Sequence, residues 1–144
     1  MIAFPRYAAV FATGVLAATV WAGSAWADGP GGVVEPDGDI SVAVGSGVLD
    51  VALVGFTATG PTNEAATAAV IAACQQAGAL DCSRDEVTND SLCIASVGAS
   101  DGSGVVAGGA GPTVEAARDD AFRHAQEADA PLDPGARILA SACP

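Results

Sequence analysis

The chain has 144 residues and carries 17 acidic side chains against five lysines and arginines, a formal charge of −12, with 51% hydrophobic residues. A balance so acidic makes nucleic acid and anionic lipid poor partners, because both present phosphate to a surface that repels it. The length leaves room for one domain once any leader is removed.

The chain begins with such a leader. Arg6 supplies a short positive region, Tyr7 to Trp21 is apolar apart from small polar residues, and Ala25-Trp26-Ala27 has the small-x-small pattern of a cleavage site. Residues 1–27 therefore read as a secretory signal peptide, with the mature chain outside the cell or in the cell envelope. A membrane anchor is the weaker reading, since the apolar run is about 15 residues where roughly 20 span a bilayer. No stable membrane anchor is expected. Both tryptophans, the tyrosine and the methionine leave with this segment, so Phe56 and Phe122 are the aromatic residues that remain. Residues 28–39 combine glycine, proline and acids, the composition of a flexible leader. Asp37-Gly38-Asp39 within it lacks the spaced oxygen ligands of a calcium loop.

From Ile40 the pattern turns apolar. Ile40 to Val44, a Gly45-Ser46-Gly47 turn and Val48 to Phe56 predict a two-stranded hairpin. Thr62 then caps a helix running to about Gln76, with Glu64 at the positive end of the helix dipole and Gly78 at its stop. Ala66, Ala69, Val70, Ala73 and Cys74 share one face of it. Asp81 to Asn89 is mostly polar and reads as an edge strand or a loop.

The next stretch repeats this order. Gly60-Pro61-Thr62-Asn63-Glu64-Ala65-Ala66 returns 51 residues later as Gly111-Pro112-Thr113-Val114-Glu115-Ala116-Ala117. Before the second of these come a strand from Cys93 to Val97, a turn at Gly98 to Gly102 and a strand through Val105 to Ala107. After it come a helix with Val114, Ala117, Ala121, Phe122 and Ala125 inward and Arg118, Asp119, Arg123 and Glu127 outward, and a strand from Arg137 to Ser141. Residues 40–144 are thus a duplicated domain, with copies at about 40–90 and 91–144. Two β-β-α-β repeats predict an α+β fold, a mostly antiparallel sheet with two helices packed on one face.

Four cysteines in an exported chain read as two disulfides. A zinc site is the competing reading, but Cys74, Cys82, Cys93 and Cys143 contain no close C-x2-C pair. Of three possible pairings, adjacency in the inferred plan favours Cys74 with Cys82 and Cys93 with Cys143. No metal and no cofactor are expected.

Candidate chemistry is sparse. Gly98-Ala99-Ser100-Asp101-Gly102 matches G-x-S-x-G, but it separates two strands instead of a strand and a helix. A base would have to be His124, the single histidine, four residues after Asp120 on a helix face where an ion pair is the commoner role. Asp119-Asp120 and Asp85-Glu86 are adjacent acids that point apart, and no tryptophan or tyrosine remains to stack a sugar. Gly108-Gly109-Ala110-Gly111 precedes a helix but lacks the lysine of a P-loop and the third glycine of a dinucleotide fingerprint.

Cys93-Ile94-Ala95 opening a strand, Gly109-Ala110-Gly111 before the helix, Ala116-Ala117 and Asp119-Asp120-Ala121 within it, and Gly135-Ala136-Arg137-Ile138-Leu139-Ala140-Ser141-Ala142-Cys143 at the end carry a resemblance. From about Ile40 to Pro144 the chain resembles the small exported actinobacterial proteins, many of them mycobacterial, of the domain of unknown function 4189 family. Cys74 and Cys82 match it as well. Ile40-Ser41-Val42 departs from the family's aromatic-glycine-alanine opening, and Cys82-Ser83-Arg84-Asp85-Glu86 departs from its apolar strand. The resemblance implies export and a two-disulfide α+β domain. Some members look like host-directed effectors, and the family supplies no catalytic motif to carry over.

The residues therefore predict a non-enzymatic secreted protein that binds a protein partner, a basic one being favoured by charge. The alternative is a small secreted serine hydrolase using Ser100 and His124. Amino-terminal sequencing of the exported protein is expected to begin at Asp28; an exported chain that still begins at Met1 would count against cleavage.

Overall fold

A computed structural model describes residues 40–144; the expected signal peptide at 1–27 and leader at 28–39 lie outside the described residues. The elements run β1 (Ser41–Leu49), β2 (Ala52–Gly60), α1 (Asn63–Gln76), β3 (Leu80–Thr88), β4 (Cys93–Gly98), β5 (Val106–Gly111), α2 (Val114–Glu127) and β6 (Arg137–Ala142). The fold is α+β, with two β-β-α-β copies. The strands divide into two antiparallel three-stranded sheets, one per copy, ordered β2-β1-β3 and β5-β4-β6. Each sheet carries its own helix on one face, and the opposite faces meet, β2 against β6, β1 against β4 and β3 against β5. The central strands are therefore covered on both sides: every residue of β4 is buried, as is most of β1.

The duplication extends to irregularities. In the first sheet the β1–β3 register shifts between Val44 and Gly45, leaving Asp85 opposite no residue of β1. In the second, the β4–β6 register shifts between Ser96 and Val97, leaving Leu139 in the same position. The threonine caps are also duplicated. Thr62 and Thr113 hold extended backbone at φ −141° and −136°, and each side chain accepts from the N–H three residues on, at 3.1 Å. Each helix ends with a left-handed residue one or two positions beyond its last turn, Gly78 at φ 81° and Asp129 at φ 55°.

One local expectation is corrected, and one left open between edge strand and loop is settled as an edge strand. The first hairpin does not turn at Gly45-Ser46-Gly47; those residues lie inside β1, and the chain reverses at Asp50-Val51, with Asp50 at φ 58°. The glycine is there for closeness, not for turning, because a Cβ on Gly45 would collide with the Ser83 carbonyl of β3 and press on Val70 of α1. The polar segment after α1 is a full nine-residue strand, β3, whose polarity suits a strand lying along β1 with only Val87 packed into the helix-side core.

The same rule of closeness seats the helices. Ala43, Ala66 and Val70 form the core of the first copy, with Phe56, Ala58, Ile71 and Val87 around them. Ala95, Val97, Ala117, Ala121, Ala125, Leu132 and Ala136 form that of the second. Side chains this short bury little apolar area each, so contact requires backbones to approach. Gly109 lets α2 do so: a Cβ there would run into the Ala117 carbonyl and the Ala121 N–H. Gly60 and Gly111 play that part at the helix starts, where a Cβ would stand 2.6 Å from Ala66 N and 2.7 Å from Ala116 Cβ respectively.

Between the sheets the contact is partly polar. Ser96 Oγ of β4 donates to Asp85 Oδ2 across the interface at 2.6 Å, Ser83 Oγ donates to Asp85 Oδ1 at 2.8 Å, and Ser46 and Ser83 hydroxyls lie 3.3 Å apart.

The cysteines are joined as Cys74–Cys82 and Cys93–Cys143, with Cα separations of 5.8 and 4.1 Å. The first closes the α1–β3 connection over eight residues, and the second ties the chain end to β4 over 50. Loop-closure entropy grows with the logarithm of loop length. Replacing Cys93 and Cys143 by alanine is expected to cost about 4 kcal/mol, against about 2.5 kcal/mol for Cys74 and Cys82. Urea unfolding of the two double variants checks the order.

Candidate functional site

The side chains singled out for chemistry do not converge. Ser100 follows β4, and both its N–H and its Oγ donate to the two oxygens of Asp133, at 2.7 and 2.6 Å. Asp133 also accepts from Gly135 N at 3.0 Å. The Ser100 hydroxyl, then its N–H, holds the Asp133 carboxyl below the ordinary carboxylate range. Sequence reasoning passed over Asp133 because Pro131-Leu132-Asp133-Pro134-Gly135 reads only as a break. Ser100 is thus the anchor of a loop-to-loop clasp, its hydroxyl proton directed at a carboxylate and not at an imidazole.

His124 is occupied elsewhere. Its Nδ1 donates to the Gly108 carbonyl at 2.8 Å, and its Nε2 stands 3.6 Å from Asp120 Oδ2. Asp120 accepts from Ala110 N at 3.0 Å and pairs with Arg123 one turn on. Burial raises the pKa of this carboxyl, but the Ala110 N–H, Arg123 and His124 outweigh it and leave it below its ordinary value. Ala110 and Gly108 belong to β5, the outer strand of its sheet, and the groups bonded here face away from β4. Asp120 and His124 therefore cover the edge of β5. Arg118, expected in water, is half-buried: its guanidinium lies 4.5 Å from the centre of the Phe122 ring and donates to the Ala136 carbonyl at 3.4 Å.

The surface that the chemistry-bearing residues do not explain lies at the hairpin end. Val51, at the β1–β2 turn, is 97% exposed, and Leu80, at the start of β3, is 71% exposed. Val48 pairs with both Leu53 and Leu80, which brings the exposed Leu49, Val51 and Leu80 to one end of the first sheet. Asp50 and Asp81 sit between and beside them, each held in left-handed backbone. Behind Val51 opens a hollow of about 300 Å³ with walls from Val48, Leu53, Ala99 and Ser100, and with Arg137 at its margin. A second hollow of about 390 Å³ shares Val48 and Leu53 and reaches Ser83 and Asp85. Asp133 is bonded to Ser100, and Asp101 stands in the chain between Ser100 and Gly102, both of which line the first hollow. Asp101 is held below its ordinary value by the Ser103 hydroxyl, then by the Ser103 N–H.

This end can do one thing well, which is to seat an apolar projection while offering carboxylates to cations around it. Nothing in the pattern of Leu49-Asp50-Val51 announces it; a turn placed five residues earlier hides these side chains in a strand. Among the described residues no group of three or more His, Cys, Asp or Glu side chains is placed to hold a metal ion. No described helix is long and apolar enough to cross a membrane. Comparison with protein-family models, with curated proteins and with solved structures finds no match.

Because the Asp120 carboxyl titrates below its unfolded value, its contribution to stability is present above the ordinary aspartate pKa and is lost as pH falls through the lower folded value. Asp120→Ala strands the Ala110 N–H and is expected to cost about 1–3 kcal/mol at neutral pH. Urea unfolding at neutral and acid pH checks it: the gap between wild type and variant should narrow in acid.

Proposed function

We propose that the protein is exported and acts by docking another protein, at the cell envelope or in a host, through the hairpin end of its first copy. One observation carries the reading: Val51 and Leu80 stand exposed beside Asp50 and Asp81 on a disulfide-braced frame. A large aliphatic side chain held in water on a rigid turn is the kind of anchor that binding energy concentrates on. The carboxylates around it, in a chain of net charge −12, favour a partner with a basic rim and quicken the encounter. The signal-peptide pattern of residues 1–27 and the paired cysteines both suit an oxidising compartment outside the cytoplasm. The resemblance to the domain of unknown function 4189 family belongs to the same proposal.

Capture from envelope and host extracts with the oxidised protein is the test. A specific partner should be recovered at low salt and lost at high salt, and Val51→Asp or Leu80→Asp should weaken its binding by about tenfold or more. Recovery of a partner indifferent to both substitutions would remove the hairpin end from the proposal, and recovery of none would remove the proposal itself.

A further inference from the structure

The two copies differ in how their outer strands are covered. β2 and β5 are the corresponding outer strands. In β5 two outward main-chain groups, the Gly108 carbonyl and the Ala110 N–H, are bonded by His124 and Asp120 of α2. The equivalent residues of β2 are Thr57 and Thr59, one repeat of 51 residues earlier, and they face outward in the same register. The positions of α1 that correspond to Asp120, Arg123 and His124 are Ala69, Ala72 and Ala73. Alanine reaches nothing, and among the described residues the outward groups of Thr57 and Thr59 have no hydrogen-bond partner. Closer to the hairpin, Arg137 of β6 donates to the Leu53 carbonyl at 3.4 Å, and the face of β2 at Gly55 rests on the backbone of Leu139. The edge from Thr57 to Gly60 lies clear of these contacts, and both threonines are exposed.

We infer that this edge pairs with the same edge of a second copy of the chain, joining two sheets antiparallel about a two-fold axis at Ala58. That axis sets Thr57 against Thr59 of the second copy and Thr59 against its Thr57, so each pair exchanges both main-chain hydrogen bonds. The threonine side chains then form cross-strand pairs on one face. On the other, the alanine flank of α1 lets the second α1 come close. Edge strands that stay single are guarded by charge, proline or bulges; β2 is Ala52-Leu53-Val54-Gly55-Phe56-Thr57-Ala58-Thr59-Gly60, with no charge and no proline. A second copy is favoured over a basic strand by that neutrality, since the seam offers nothing for a cation to meet. The rest of the two chains, at −12 each, repels. Association at this edge therefore strengthens with added salt, opposite to docking of a basic partner at the hairpin end.

Sedimentation of the oxidised protein over a range of concentration, at low and high salt, is the experiment, combined with amide exchange at Thr57 and Thr59. A dimer that tightens with salt, with exchange at both amides slowing as the dimer forms, is expected. Thr59→Pro removes an outward donor without touching the β1 ladder and should weaken the dimer by about tenfold or more. Ala69→Asp combined with Ala73→His transplants the β5 cover onto β2 and should do the same, which keeps the test alive if the proline variant fails to fold. A monomer at every concentration overturns the inference, whether the two amides exchange freely or are protected by this chain's own residues. So does a dimer that both variants leave intact. Neither result bears on the hairpin end, whose partner is read by the opposite salt dependence.

Discussion

Everything in this molecule depends on how near two backbones can come. Apart from Phe56 and Phe122, the described core is built from alanine, valine and a few leucines and isoleucines, so no side chain is long enough to bridge an ordinary helix-to-sheet gap. Dispersion falls off steeply with separation, and a gap of even half an ångström forfeits much of the contact. Glycine on the strands and alanine on the helices close the gap from both sides, as at Gly109 beneath Ala117 and Ala121. The disulfides follow from the same shortage. With little apolar area buried per residue, the folded state needs its competitor weakened, and cross-links at Cys74–Cys82 and Cys93–Cys143 do so by restricting the unfolded chain.

Duplication solves a second problem. One β-β-α copy with its returning strand is a three-stranded sheet covered on a single face, and its other face would lie in water. Two copies set face to face cover each other, which is why β1 and β4, the middle strands, are buried on both sides while reading as ordinary short apolar runs. The breaks at Asp85 and Leu139 fall at equivalent places in the two sheets, and the first sheet has a further shift between Ser46 and Val48.

Local chemistry made much of this readable. Thr62 and Thr113 announced both helix starts because capping depends on one side chain and the next three residues. The 51-residue repeat exposed the β-β-α-β order, and the positions of the cysteines in that order favoured their pairing. What stayed hidden depends on partners far away in the chain. Gly45 looked like a turn because its real reason, the Ser83 carbonyl 38 residues on, is invisible locally. β3 read equally as an edge strand or a loop, because part of its contact is made across a sheet interface that periodicity does not encode. The division of six strands into two sheets is of the same kind, since adjacency of strands says nothing of which face closes on which. Ser100 and His124 drew attention as rare, reactive types, and geometry gave each a structural partner in Asp133 and Gly108.

The carboxylate of Asp85, held between Ser83 and Ser96, has a consequence for assembly. Two halves alike in fold could dock in either order, or each could take its mate from a neighbouring molecule during synthesis. Where the first half has Asp85 the second has Leu139, packed on Gly98, so the halves are no longer interchangeable: one is a key and the other its lock. Asp85 takes the partner of its Oδ2, Ser96, from the second half, and the first half has Val44 at the equivalent position, so two first halves together would leave that oxygen without a hydroxyl. The bulge at which the halves differ thereby gives their interface a direction, the carboxylate coming from the first half and one of its hydroxyls from the second.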